Sequence, residues 1–161
     1  FWSTARYSEQ VVAALSSALD QSLAKWRQTS PPVVLVGYSG GGALALLLAA
    51  RRTDVLAVAT IAGNLDHDAW TRHHDLPPLE GSLNPAATSP PRLRTLPQRH
   101  LVGEHDDVVP PEVVRSYLVA TRGPPEALQV IEDYSHRCCW RDLWPRPLCG
   151  LSPAARGCGA R

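Results

Sequence analysis

The sequence lacks methionine entirely and has only one lysine, Lys25, and one phenylalanine, Phe1. A chain of 161 residues that begins at Phe1 and contains no methionine is not expected to be a complete primary translation product. We therefore expect that a leader has been removed or that the sequence is part of a longer protein. Residues Phe1–Tyr7 show no basic stretch followed by an apolar one, the pattern of a secretory signal peptide, so the sequence does not predict a compartment.

Long apolar runs and an excess of one charge are absent as well. The longest wholly apolar run, Ala43–Ala50, is far shorter than the roughly 18 residues that a membrane-spanning helix needs, so we expect no integral membrane segment. Lysine plus arginine total 16 and aspartate plus glutamate 15, for a net charge of +1, which predicts no attraction to nucleic acid. The hydrophobic fraction of 44% is ordinary for one globular domain.

The four cysteines all lie late in the chain, at Cys138, Cys139, Cys149 and Cys158, with spacings that match no zinc signature. The adjacent pair Cys138–Cys139 is not expected to bond internally. A bridge from either of them to Cys149 or Cys158 would fit an exported protein, whereas four reduced thiols would fit a cytosolic one. Both alternatives remain open.

Hydrophobic periodicity predicts an α/β unit in the first part of the chain. Apolar residues at steps of three and four predict a helix over Ser8–Trp26, and the short apolar run Val33–Val36 is typical of a buried parallel strand. A glycine-rich turn, a helix over Ala43–Arg52 and a second strand over Val55–Ile61 complete one βαβ unit.

The second half continues the alternation of strands and helices. We predict a third strand at Arg99–Gly103, a helix at Pro110–Thr121, a fourth strand at Leu128–Ile131 and a last helix at Arg137–Trp144. The expected fold is a three-layer α/β domain over residues 1–144, with a mostly parallel sheet and helices on both faces. Residues 145–161 are expected to be a poorly ordered tail.

Residues 63–98 form a long, polar, proline-punctuated excursion above the predicted sheet, with a short helix expected near Asp66–His74. Its apolar residues would either face an acyl pocket, as in a lid, or anchor the excursion to the core: Trp70, Leu76, Leu79 and Leu83. Its histidines, His67, His73 and His74, stand among aspartates, but no histidine pair lies four apart on a clear helix. The sequence favours a solvated or substrate-lining loop over a metal site.

The chemistry-bearing motif is Gly37-Tyr38-Ser39-Gly40-Gly41, which fits Gly-x-Ser-x-Gly between a strand and a helix. Ser39 would occupy a strained turn that lifts its hydroxyl clear of the sheet. Glycine would be required at 37 and at 41 or 42, because strand and helix backbones pass closely there. The N–H of Gly40 would face a developing oxyanion. A plain βα turn and a phosphate-binding loop are the alternatives, and the phosphate loop lacks its usual Lys-Ser/Thr pair.

A serine hydroxyl needs a base and a carboxylate that orients the base. Carboxylates follow the third strand in Gly103-Glu104-His105-Asp106-Asp107, and His136 is the histidine that follows the fourth strand. The order Ser39, Asp106, His136 is that of the Ser…Asp…His triad. Since His100 lies within a strand, we expect it to be structural.

With these motifs, Pro32–Trp144 resembles the α/β-hydrolase superfamily, in particular its serine esterases and lipases. The resemblance to the acid loop identifies Asp106, with Asp107, Glu104 and Asp66 as alternatives. It implies no metal and no organic cofactor. It also implies that this member is N-terminally incomplete, since the family's second oxyanion donor follows an earlier strand.

The resemblance implies hydrolysis of a small-molecule carboxylic ester, lipid-like esters included, through an acyl-enzyme. Ser39 would be the nucleophile, and Tyr38 and Trp70 are predicted to contact substrate. With Gly40 as the single oxyanion donor we expect weak activity, because one such donor contributes about 10²–10³ in rate. An acyltransferase or peptidase with the same triad, and a non-catalytic fragment, are the alternatives.

Overall fold

The computed structural model describes residues 4–25, 32–88, 90–144 and 146–151. Within these residues four parallel strands form one sheet in the order β1-β2-β3-β4. The strands are β1 (Val33–Tyr38), β2 (Val55–Ile61), β3 (Gln98–Gly103) and β4 (Leu128–Ile131). The helices are α1 (Glu9–Ala24), α2 (Gly40–Ala49), α3 (His67–His73), α4 (Pro91–Thr95) and α5 (Pro111–Thr121). The four predicted strands and their parallel arrangement are confirmed.

Three helical segments differ from the prediction. Helix α2 begins at Gly40, directly after Ser39, because the three glycines form its first turn instead of a loop. Helix α4 was not predicted, since its prolines suggested a break, yet Pro91 stands in the first turn, where a missing N–H costs nothing. The helix predicted at Arg137–Trp144 was wrong in type and length: the structure has only a short 3-10 turn, Trp140–Leu143.

The main core lies between the sheet and helices α2 and α5. It joins Leu46 of α2 and Val58 of β2 to Tyr117 and Leu118 of α5, all of them buried. A second cluster packs α1 onto α2 through Val12 and other buried residues: Tyr7, Ala43, Leu47 and Leu48. Apolar burial at these two clusters fixes the position of the first turn of α2, which carries the glycine motif.

The opposite face of β1 is more open. Val36 and Tyr38, which alternate with the core residue Leu35, are 40% and 46% exposed. Of the predicted tail 145–161, the structure describes residues 146–151, where the 3-10 turn Arg146–Leu148 packs against β2 and β3. The remainder of that segment lies outside the described residues, as do residues 26–31, which include the last residue of the predicted helix Ser8–Trp26. No helix in the described ranges is long and apolar enough to cross a bilayer.

The expectation that Cys138 and Cys139 do not pair was wrong. The structure joins them in a vicinal disulfide across a cis peptide bond, which brings their Cα atoms to 3.2 Å. Across a trans peptide, which is the usual form, the two Cα atoms would lie about 3.8 Å apart. The bridge follows His136 by two residues.

The excursion 63–98 is fastened to the rest of the domain by its leucines. Leu79 and Leu83 pack against the cluster between α1 and α2, as the anchoring alternative expects. Leu76 is 47% exposed. The predicted short helix is present as α3, and its N-cap is Asp66.

Candidate active site

Ser39 stands in a strained turn between β1 and α2. Its φ of 52° and ψ of −124° put a non-glycine residue in a sparsely populated region of backbone space. Three backbone hydrogen bonds stabilise this conformation: Ser39 N–H donates to Ile61 O at 2.9 Å, and Ser39 O accepts from Gly42 N–H at 3.0 Å and from Asn64 N–H at 3.2 Å. The turn therefore exposes the side chain at the carboxyl end of the sheet, as the motif predicts.

The glycines of the motif do not all have the same role. A Cβ on Gly37 would approach backbone atoms of Gly41 and Gly42 closer than 3.0 Å, and one on Gly42 would lie 3.0 Å from Gly63 Cα. A Cβ on Gly41 would meet nothing within 4 Å. The backbones of β1 and α2 thus require glycine at 37. Of the two sequence alternatives, 42 rather than 41 is the closely packed position, and its neighbour is Gly63.

Asp106 is positioned by the turn that follows β3. Its Oδ1 accepts backbone N–H groups from Val108 at 3.0 Å and Val109 at 2.7 Å. The residue is only 3% exposed. These bonds hold the carboxylate in one orientation, with its second oxygen directed at the loop after β4.

The loop after β4 is bonded to the loop after β3. Glu104 N–H donates to Ile131 O and His105 N–H donates to Tyr134 O, both at 2.9 Å. This pairing continues the β3–β4 ladder beyond the sheet and carries His136 back toward Asp106.

The structure brings the three predicted side chains into one hydrogen-bonded row. His136 Nδ1 lies 2.9 and 3.0 Å from the two carboxylate oxygens of Asp106, and its Nε2 lies 3.1 Å from Ser39 Oγ. His136 is 7% exposed. A carboxylate accepts only, so Nδ1 carries the proton; Nε2 is then free to accept the Ser39 hydroxyl proton.

Two aromatic residues hold the backbone of His136. Tyr38 Oη donates to His136 O at 2.9 Å, and Trp140 Nε1 donates to the same oxygen at 2.8 Å. The rings of Tyr38 and His136 lie 5.2 Å apart. Tyr38, predicted only as a substrate contact, thus also positions the imidazole. The role of Trp140 was missed, because its indole reaches the site through the 3-10 turn that replaces the predicted helix.

Trp70 lies beside the acid loop. Its Nε1 donates to Val108 O at 2.7 Å, and His74 Nε2 donates to the same oxygen at 2.8 Å. Helix α3 is therefore bonded to the turn that carries Asp106. The predicted contact between Trp70 and substrate stays a prediction.

The alternative acids lie elsewhere. Asp107 and Glu104 are exposed, and neither contacts His136 in the described part of the chain. Asp66 accepts hydrogen bonds from Ser116 Oγ at 2.6 Å and Asn84 Nδ2 at 3.1 Å, besides two N–H groups at the start of α3. Burial acts to raise the pKa of Asp66, but these hydrogen bonds outweigh it and the pKa is lowered. Asp66 fastens α3 to α5.

Two buried histidines remain neutral. His67 is 2% exposed, and burial lowers its pKa to about 4. His100, whose Nδ1 lies 2.9 Å from Thr60 Oγ1, has its pKa lowered by burial to about 3. His73 and His74 pack edge to face. Across the described residues, no cluster of three or more histidine, cysteine or acidic residues could hold a metal ion.

A cavity of about 650 Å³ opens beside the imidazole loop. Its lining is aromatic and aliphatic with two guanidinium groups: Tyr38, Ile61, Arg137, Trp140, Arg141 and Trp144. Since Tyr38 and Trp140 also bind His136 O, the cavity adjoins the hydrogen-bonded row.

No protein-family model matches the chain, and no curated protein matches it. Solved structures do. An esterase domain from Rhodothermus marinus is 23% identical over 75% of this chain and 60% of its own, with a TM-score of 0.50. An α/β hydrolase from the metagenome of Mar Chica lagoon sediments is 22% identical over 78% and 61%, with a TM-score of 0.55. An α/β hydrolase from Penicillium sp. sh18 is 12% identical over 87% and 71%, with a TM-score of 0.58.

The chain spans about three fifths of the first two of these proteins. At such identities the likeness concerns the fold. The parallel sheet, its helices and the strand-to-helix turn at Ser39 together show that this chain has the α/β-hydrolase fold, of which the described residues form a part.

Proposed function

We propose that the protein is a serine hydrolase that cleaves carboxylic esters through an acyl-enzyme. The observation that carries this proposal is the row from Asp106 through His136 to Ser39, with Nε2 at 3.1 Å from Oγ. This is the spacing at which a base takes the proton of an attacking hydroxyl. No other group in the row competes for Nε2.

In the proposed reaction, Ser39 Oγ attacks the ester carbonyl carbon while its proton passes to His136 Nε2. The carbonyl oxygen becomes an oxyanion, toward which Gly40 N–H would donate. The intermediate then collapses, the bond to the leaving oxygen breaks, and that oxygen takes the proton from Nε2. Water repeats the sequence on the acyl-enzyme and releases the acid. Asp106 stabilises the imidazolium at each stage.

The cavity beside His136 supports a small-molecule ester with an apolar group. A volume of about 650 Å³ accommodates a ligand of moderate size, and Trp140 and Trp144 offer it apolar surface. Tyr38, which lines this cavity, would contact the acyl or alkyl chain. One similar structure is an esterase domain, which agrees with this substrate class.

The test is covalent labelling by a fluorophosphonate together with hydrolysis of p-nitrophenyl esters of increasing acyl length. We expect stoichiometric labelling that Ser39→Ala abolishes, with a loss in kcat of about 10⁶. Ser22→Ala is the matched control, since Ser22 lies on α1 and its Oγ bonds only to Ala18 O at 2.8 Å.

Product analysis with an added alcohol or amine separates hydrolysis from acyl transfer, and a peptide substrate tests peptidase activity. If the wild-type chain is folded by circular dichroism but is neither labelled nor active on any ester, it is the non-catalytic alternative and the proposal is wrong.

A further inference from the structure

We propose that the hydroxyl of Tyr7 is a second oxyanion donor, acting with Gly40 N–H. This inference rests on the proposed function and assigns a catalytic role to a residue outside the glycine motif. The expectation from the sequence was a single donor, Gly40.

The position of the hydroxyl carries the inference. A Cβ built on Gly40 would lie closer than 3.0 Å to Tyr7 Oη and 3.3 Å from the ring carbon that bears it. The tyrosine therefore directs its oxygen, rather than its ring edge, at the residue that follows Ser39. Gly40 is the first residue of α2, so its N–H belongs to the four that have no acceptor within the helix. Two hydrogen-bond donors thus lie at Gly40, the residue next to Ser39 in the chain.

The hydroxyl of Tyr7 also has no hydrogen-bond partner among the described residues. Tyr7 is 6% exposed, yet within the described ranges its hydrogen bonds are made by its backbone: N–H donates to Ser82 Oγ at 3.2 Å, and its carbonyl accepts from Leu83 N–H at 3.0 Å. The hydroxyl is therefore free to donate a hydrogen bond to a ligand oxygen beside Gly40.

Preorganisation makes the hydroxyl suitable for this role. The Tyr7 ring stacks on His67, with centroids 4.3 Å apart and planes at 26°. Ser82 Oγ in turn donates to Thr4 O at 2.6 Å, which fixes the turn on which Tyr7 stands. The excursion 63–98 thereby holds the phenol in place before substrate arrives, so that little reorganisation is needed during the reaction.

In this step Tyr7 donates a hydrogen bond but transfers no proton. As Ser39 Oγ adds to the carbonyl, the new O⁻ accepts one hydrogen bond from Gly40 N–H and one from Tyr7 O–H. Burial raises the pKa of Tyr7, so the phenol stays a neutral donor near pH 7. When the intermediate collapses, both hydrogen bonds weaken and both protons remain where they were.

The experiment compares Tyr7→Phe with the wild type in ester hydrolysis and in the rate of fluorophosphonate labelling. Phenylalanine keeps the ring stack and the buried volume and removes only the hydroxyl. We expect kcat and the second-order labelling rate to fall by about 10²-fold, with KM changed less than threefold. Tyr117→Phe is the matched control, because it removes a hydroxyl that bonds to Gln98 Oε1 at the amino end of β3, whereas Ser39 lies at the carboxyl end of the sheet.

A second pair of variants separates a direct role from a packing effect. Gly40→Ala keeps the N–H of residue 40 but introduces the methyl that overlaps Tyr7 Oη, so it should displace the phenol and slow labelling. In the Tyr7→Phe background the overlapping oxygen is gone, so Gly40→Ala should reduce the labelling rate by a factor at least fivefold smaller than it does in the wild type. Additive effects would contradict the proposed role.

The outcomes distinguish the two proposals. Labelling of the wild type at Ser39, with Tyr7→Phe labelled at an undiminished rate, would overturn the role of Tyr7 and leave the serine hydrolase intact. A folded wild type that is never labelled would overturn the hydrolase itself, and the role of Tyr7 with it. A fall in Tyr7→Phe that Tyr117→Phe reproduces would assign the effect to lost stability and overturn the inference.

Discussion

The strand-to-helix turn has no space for a side chain at Gly37, so Gly37→Ala should be strongly destabilising. The methyl group of Gly37→Ala would approach Gly41 O, Gly41 C and Gly42 N closer than 3.0 Å. All three are backbone atoms, so no side chain can rotate away to relieve the overlap. Either the end of β1 or the first turn of α2 must move.

Both of those segments are fixed. Gly42 N–H bonds to Ser39 O and Ser39 N–H bonds to Ile61 O, so a shift of the turn breaks backbone hydrogen bonds next to β2. Overpacking of a tight core usually costs 1–3 kcal/mol, and with a rigid obstacle we expect about 3 kcal/mol or more for Gly37→Ala. In a domain of this size that corresponds to a fall in Tm of roughly 6–12 °C.

Gly41→Ala is the matched control within the same motif. A Cβ there meets nothing within 4 Å, and the residue lies in a helix, where alanine is favoured over glycine by about 0.5–1 kcal/mol. Urea unfolding followed by circular dichroism at 222 nm should separate the two variants by about 3–4 kcal/mol in the free energy of unfolding. Equal stabilities, within 1 kcal/mol, would refute the close-approach argument for this turn.

Two further predictions concern the site and its surroundings. Asp106→Asn should lower kcat by about 10⁴, because an amide at that position favours the wrong imidazole tautomer; Asp107→Asn should leave kcat within twofold, and equal losses would contradict the assignment of the acid. His67→Phe should weaken the pH dependence of stability. The folded-state pKa of His67 is about 4 against 6.5 unfolded, so the unfolded chain binds more protons between these values. The contribution of neutral His67 to the free energy of unfolding is complete above pH 6.5. It is lost as the pH falls, by roughly 2–3 kcal/mol at pH 4.5. Urea titrations at pH 7 and pH 4.5 measure this loss, which the variant should not show; unchanged pH dependence would contradict it.

The three residues of the hydrogen-bonded row were predictable because each depends on local sequence. Parallel strands end at one edge of a sheet, so residues that directly follow β1, β3 and β4 must come near one another. Ser39, Asp106 and His136 satisfy that rule. The choice of Asp106 over Asp107 needed the family resemblance, because spacing alone does not separate adjacent carboxylates.

What sequence reading missed depends on contacts between distant segments. Tyr7 precedes an ordinary amphipathic helix, and nothing local indicates that its hydroxyl meets Gly40. Trp140 reaches His136 O only because a 3-10 turn replaces the predicted helix. The requirement for glycine at 42 rather than 41 depends on Gly63, which enters from the segment after β2.

The proposed site combines residues that follow the first and the last strand of the described sheet, so it forms only when that sheet is complete. Ser39 follows β1 and His136 follows β4. These two strands lie three strand spacings, or about 14 Å, apart across the sheet. The two residues are 97 positions apart in the chain, and their contact exists only when each intervening strand has found its neighbour. Under the proposed function, partly assembled or misregistered chains would hold Ser39 without its base and would not react. Labelling at Ser39 would then mark native molecules, and the labelled fraction of a preparation would count the chains whose sheet is complete.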